Sequence, residues 1–148
     1  MNDKEFDKYL KERYYNQIEW YDTKAIWNQK AYKILQWGVI ILSAITPVLV
    51  AIGSNLFERY LAVIISFLVA AGTTILKTFK YQENWINYRT TCETLRKEIY
   101  YFNAGIHEYE NCDEPRKLFT KRVEELISRE NTFWLAERKL EESKKIKK

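Results

Sequence analysis

Two charge-free runs constrain this chain more than anything else in it. Between Ile34 and Phe57, and again between Tyr60 and Leu76, there is no Asp, Glu, Lys or Arg. A helix needs roughly 20 apolar residues, with about 17 as the lower limit, to cross a hydrocarbon core about 30 Å thick. Both runs reach that length. The competing reading is a soluble helical core, which would have to wrap two helices that are apolar all round, and a 148-residue chain is too small to do so. The fold class expected is therefore an all-α membrane protein built on a two-transmembrane helical hairpin. The mean hydropathy of the whole chain, −0.45, hides this because the two runs are diluted by long charged segments.

The flanks of the runs agree. Trp37, Phe57, Tyr60, Phe79 and Tyr81 lie near their ends, where amphipathic rings settle at headgroup level, and Lys33 and Lys77 are placed to snorkel. Lys24, Lys30, Lys33, Lys77, Lys80 and Arg89 all lie on the terminal sides of the runs, whereas Arg59 alone stands between them. The positive-inside rule then puts both termini in the cytoplasm, with "GSNLFER" as an outward tip. Scarce Gly and Pro, four and two residues, favour a few long helices over many short strands.

Outside the runs the pattern is amphipathic. Tyr81, Trp85, Tyr88, Cys92, Leu95, Ile99, Phe102, Ile106 and Tyr109 form a heptad seam, and Leu10, Tyr14, Ile18, Tyr21, Ala25, Tyr32 and Leu35 form another, interrupted by Asn28. Gly105 is a candidate helix end. "NCDEPRK" reads as a break, with Asp113 as N-cap and Pro115 in the first turn of a third helix. The chain thus reads as one domain: cytoplasmic helix 3–33, transmembrane helix 34–56, outer loop 53–59, transmembrane helix 60–76, cytoplasmic helices 77–110 and 115–142, and a basic tail 143–148. The third helix is expected to complete a cytoplasmic bundle with the other two.

No chemistry-bearing motif stands out. There is no Gly-rich phosphate loop, GxSxG or HExxH, and two separated cysteines with one histidine do not make a zinc site. The charged start "MNDKEFDKYLKERYY" lacks the apolar stretch of a cleavable signal peptide. The lysines of "KLEESKKIKK" read as a solvated helix end, so no nucleic acid is expected as a partner. The expectation is a protein that is not an enzyme and carries no cofactor or metal.

Small and weakly polar residues in the spans are more informative. Ala62, Ser66, Ala70 and Thr74 recur every fourth position, as do Ser43, Pro47 and Ala51, and such stripes let helices approach closely in lipid. Together with Thr46 and Thr73 they are candidates either for span packing or for the wall of a conduit. Two helices cannot enclose a pore, so a conduit requires a homo-oligomer. Pro47 withholds a donor from the Ser43 carbonyl and is expected to kink the helix, with the Ser43 and Thr46 hydroxyls at hand for the freed group. No ionisable residue lies inside the runs, which argues against a proton-coupled or ion-coupled transporter. Beneath the spans, Asp22 and Lys24 on one helix and Arg89, Glu93 and Glu98 on another are candidate ion-pair partners beside the aromatic seam.

In order along the chain, "YLKERYYNQIEWYDTKAIWNQKAYKILQW", a span holding "ITPVL", "WINYRTTCETLRKEIYYFNAG" and "FTKRVEELISRENTFW" resemble the SLATT family of bacterial two-transmembrane proteins, in the branch known as a domain of unknown function. The resemblance covers about residues 9–135. Its carriers are Arg13, Trp20, Tyr21, Asp22, Lys24, Tyr32, Pro47, Trp85, Tyr88, Arg89, Glu93, Leu95, Glu98, Glu130 and Trp134. What it implies is an inner-membrane effector that forms pores in bacterial defence systems. It further implies a separate nucleotide-sensing protein as partner, since no sensor domain is legible in these residues. A non-conducting membrane scaffold, binding another protein through the cytoplasmic bundle, is the alternative.

Overall fold

The structure, a computed structural model, describes residues 2–52 and 55–129. Among the described residues every regular element is helical. They are α1 (Asp3–Tyr9), a π-helical turn (Leu10–Tyr14), α2 (Tyr15–Ile52), α3 (Leu56–Phe79), α4 (Tyr81–Ala104), a 3-10 turn (His107–Tyr109) and α5, residues 115–129. The stretch of the expected third helix from 130 to 142 and the basic tail lie outside the described residues.

Local chemistry sets the boundaries. Asn2 starts α1 through a reciprocal capping box with Glu5, at 2.8 and 3.0 Å. The backbone N–H of Asn55 donates to the Glu58 carboxylate at 3.2 Å, and helix begins at Leu56, inside the expected loop 53–59. A single helix does not run from the second apolar stretch into the following segment either. Lys80 adopts a left-handed conformation (φ 48°) and separates α3 from α4, with the Asn84 side chain donating to the Phe79 carbonyl at 3.1 Å. Helix α4 ends at Ala104, not at 110, because Gly105 (φ 63°) closes it. The N–H groups of Gly105 and Ile106 reach back to Phe102 and Tyr101, each at 3.3 Å, in a Schellman arrangement. Ile106 consequently leaves the heptad seam and is exposed. The carbonyl of Glu114, rather than Asp113, takes the first bond of α5, from the Leu118 N–H, with Pro115 at the first helical position.

The chain divides into two compact units, Met1–Asp22 with Tyr88–Lys148, and Thr23–Asn87. The first has an aromatic core of Phe6, Tyr14, Tyr21, Cys92, Leu95, Tyr109, Phe119, Val123 and Ile127. Phe6 packs on Phe102 and Phe119 with centroids at 5.2 and 5.7 Å, and Tyr14 meets Phe119 at 5.2 Å. The hydroxyl of the fully buried Tyr14 donates to the Leu95 carbonyl at 2.7 Å, which satisfies its polar end.

The second unit contains α2 from Thr23 onward, α3 and the start of α4. The two helices are long and apolar enough to cross a membrane, and within the most apolar window of α2 no residue is buried by the chain itself. On α3, Phe57 is 75% exposed and Phe67 70%. The helices pack tightly at Gly72, where an added Cβ would come within 2.7 Å of Val39 Cγ2. Val39 is β-branched and stiff at χ1, so it yields poorly. Gly72→Ala is expected to destabilise the α2–α3 pair by about 1–3 kcal/mol, and Val39→Ala in the same chain to recover most of it. Thermal unfolding of the purified protein in detergent, followed by circular dichroism, measures both.

Candidate functional site

In the first unit, the charged residues singled out by sequence fall into separate clusters. Asp22 on α2 accepts from two arginines of α4, Arg89 at 3.0 Å and Arg96 at 3.2 Å, and Glu93 lies 2.6 Å from Arg89 and 3.4 Å from Arg96. The four alternate in sign, a closed quartet of two acids and two bases. Arg96 completes it. Sequence reading missed it, although it stands three residues after Glu93, a helical-neighbour spacing. Lys24 belongs to the other unit, where its carbonyl accepts from the Asn28 side chain at 2.8 Å. Beside the quartet, Trp20 meets Tyr21 and Tyr88 edge-on at 5.0 and 5.6 Å, with Tyr21 buried and Trp20 half exposed. Trp85 lies half-buried in the second unit, and Trp134 is outside the described residues.

Glu98 is not part of the quartet. It is 3% exposed and held by Arg122 of α5 through both carboxylate oxygens, while the Tyr109 hydroxyl donates to Oε1. Arg122 also pairs with Glu108. A buried charge must be paired and hydrogen-bonded, and these donors engage both oxygens of the Glu98 carboxylate. The hydrogen bonds to Glu98 and Glu108 hold the Arg122 guanidinium pKa above its ordinary value. Burial, then the Glu98 bond, raises that of Tyr109. Arg13 forms a third cluster: its guanidinium grips both oxygens of Glu124 on α5 at 3.2 and 3.1 Å, and Tyr9 donates to the same carboxylate at 3.0 Å. The Arg13 bond, opposed by partial burial, holds the Glu124 carboxyl below its usual range. Cys92 is buried, its thiol pKa raised first by desolvation, and sits 3.7 Å from the Ile18 carbonyl as a weak donor, so it is an inert packing residue.

In the second unit, Ser43, Thr46, Pro47, Val50, Ala51, Ser66 and Val69 line an open, mainly apolar groove of about 490 Å³ between α2 and α3. Of the small-residue stripe on α3, only Ala62 is buried; Ser66, Ala70 and Thr74 are exposed, as are Ser43, Pro47 and Ala51 on α2. The hydroxyls bond within their own helices. Thr46 donates to Leu42 at 2.8 Å, Ser66 to Ala62 at 2.8 Å, Thr74 to Ala70 at 2.8 Å, and Thr73 to Val69 and Ala70 at 3.0 and 2.9 Å. The Thr46 hydroxyl therefore does not go to the Ser43 carbonyl that Pro47 frees. Pro47 sits inside α2, which continues through it to Ile52. Among the described residues no group of three or more His, Cys, Asp or Glu is arranged to hold a metal.

The family model described as "Protein of unknown function (DUF4231)" matches residues 16–117. The chain belongs to that family. The DUF4231 segment takes in both long apolar helices, the Asp22–Arg89–Glu93–Arg96 quartet, Glu98 and Tyr109, but not Arg122, Arg13 or Glu124. Two of the three charged clusters therefore depend on residues outside the matched region. No curated protein and no solved structure matches the chain.

Arg122→Leu leaves the Glu98 carboxylate buried with one neutral donor. It is expected to destabilise the protein by about 3 kcal/mol, and Glu98→Gln with Arg122→Leu to cost less than the two changes summed; a double-mutant cycle on thermal midpoints reads this. The Arg13–Glu124 clamp has a pH signature. Because the folded carboxyl has the lower pKa, its stabilisation is present at neutral pH and is lost as pH falls below the usual carboxylate range and through the lowered folded value. The gap in thermal midpoint between the wild type and Arg13→Gln should be open at neutral pH and close under acid.

Proposed function

We propose that α2 and α3 cross the bacterial inner membrane as a hairpin with both chain ends in the cytoplasm, and that several copies assemble into a channel-like pore controlled by the helical bundle of the first unit. The observation that carries this reading is the bare apolar surface of α2, none of whose most hydrophobic window is covered by the chain. Left in water, such a surface costs about 25 cal/mol for each Å². Lipid covers it without further protein. The resemblance to SLATT proteins supports the pore and effector part of the proposal, with a separate nucleotide-sensing protein supplying the trigger.

The wall of such a pore would be weakly polar. Back-bonded Ser and Thr hydroxyls still offer oxygen lone pairs outward, and Ser43, Ser66 and Thr74 are exposed. The same back-bonding favours the second reading, a non-conducting scaffold, because hydroxyls bonded within their own helices and a mainly apolar groove suit packing as well as conduction. Purified full-length protein reconstituted in liposomes separates the two. On the pore reading, dye or ion leakage rises with protein density, and Ser66→Leu with Thr74→Leu lowers it at least about tenfold by narrowing and drying the wall. Oligomers without leakage, with bound partners that survive the double substitution, would support the scaffold and overturn the pore.

A further inference from the structure

A second groove of the hairpin unit differs in kind from the one at Pro47. Tyr32 and Gln36 of α2, Thr73, Leu76 and Lys77 of α3, Lys80 at the α3–α4 junction and Gln82 and Glu83 of α4 line an opening of about 350 Å³. Its lining changes along the chain from apolar to charged, since Thr73 and Leu76 belong to the charge-free run and the two lysines follow directly. Aromatic rings mark the same level: Tyr81 stacks on Phe79 at 5.7 Å and meets Trp27 at 5.8 Å. Rings of this kind gather at the boundary between hydrocarbon and water.

The backbone at the junction is specialised. Lys80 takes a left-handed conformation that non-glycine residues seldom adopt, and this turn puts Lys80 among the lining residues beside Lys77. Lys80 lies 4.0 Å from Glu83, whose side chain is 64% exposed, so their attraction is weak. Two ammonium groups against one carboxylate leave the groove net positive. Gln36, Gln82 and Tyr32 add neutral hydrogen-bonding groups suited to phosphate oxygens.

Resting on the membrane reading above, we propose that this groove binds the phosphate of an anionic phospholipid headgroup, with Lys77 and Lys80 as its cations. Basic pockets between spans on the cytoplasmic side are where such headgroups are bound. The acyl chains of a lipid held there would run along the exposed apolar faces of α2 and α3. A soluble phosphate compound would meet the same cations but leave those faces bare, which is why the lipid is the occupant favoured.

The full chain, extracted in a mild detergent, is exposed to phosphatidylglycerol or phosphatidylcholine, and lipid retained on it is counted by native mass spectrometry. Phosphatidylglycerol is expected to be retained in preference. Lys77→Gln with Lys80→Asn should reduce that retention about tenfold. Asn tolerates the left-handed backbone, so helix content should be unchanged by circular dichroism. Glu83→Gln should increase retention by removing the opposing charge. Equal retention of the two lipids, or equal retention by the wild type and the double variant, would overturn the proposal. So would displacement of bound lipid by millimolar inorganic phosphate, which would reassign the site to a soluble anion. Failure of the membrane reading itself would look different: the protein would stay in solution without detergent.

Discussion

Exposed hydrocarbon on α2 and α3 is the constraint on which everything else in this chain depends. Side chains such as Ile34, Ile52, Phe57 and Val63 are largely uncovered, whereas the first unit has an aromatic core of its own. Within the most apolar window of α2 none of the described residues provides cover. A bilayer does so with no loss of backbone hydrogen bonding, since each helix satisfies its own N–H and C=O groups. Charged residues then concentrate at the ends of the two apolar runs and beyond, where ion pairs and water remain available.

The first unit answers a different problem. Its helices are polar enough to live in water and gain cohesion from a compact aromatic cluster fastened by three charged groups, each joining different elements. Asp22 joins α2 to α4, Glu98 joins α4 to α5, and Glu124 joins α5 to Arg13 in the π-helical turn. Exposed ion pairs contribute little, whereas the pair at Glu98 matters because its carboxylate is buried and needs its donors. This clamp sits at the only buried acid among the described residues.

Much of this was legible in the sequence, and unevenly so. The apolar runs were read correctly as long helices because length and lack of charge act on every residue together. The break at Lys80 and the exact start of α3 at Leu56, inside the expected loop 53–59, were not, because they depend on single backbone conformations and on one carboxylate reaching one N–H. Gly105 was visible as a candidate helix end because glycine is costly inside a helix; Lys80 takes the same left-handed backbone with a side chain that gives no such hint. Among the candidate residues, Asp22, Arg89 and Glu93 do meet. Glu98 was grouped with them by chain proximity, yet five residues after Glu93 it points to another face of α4, toward Arg122. Phe6 was overlooked because one aromatic in a short helix carries no period; only the folded core shows that Phe102 and Phe119 enclose it.

The stripes of small residues bear on how copies of the hairpin would meet. Within one chain Gly72 lies against Val39, and apart from Ala62 the stripe residues are exposed, with Ser43, Pro47, Ala51 and Ser66 along the open groove between α2 and α3. A face that is small, exposed and back-bonded is poorly used if it meets only lipid tails, which fill space against Leu or Ile equally well. It is well used against another helix, since small side chains let backbones approach and dispersion contacts accumulate where no hydrophobic force distinguishes protein from lipid. Pro47 and Ser43 are both exposed and line that open groove. The proline and the weakly polar residues thus share one surface, so a helix packed there would meet both at once.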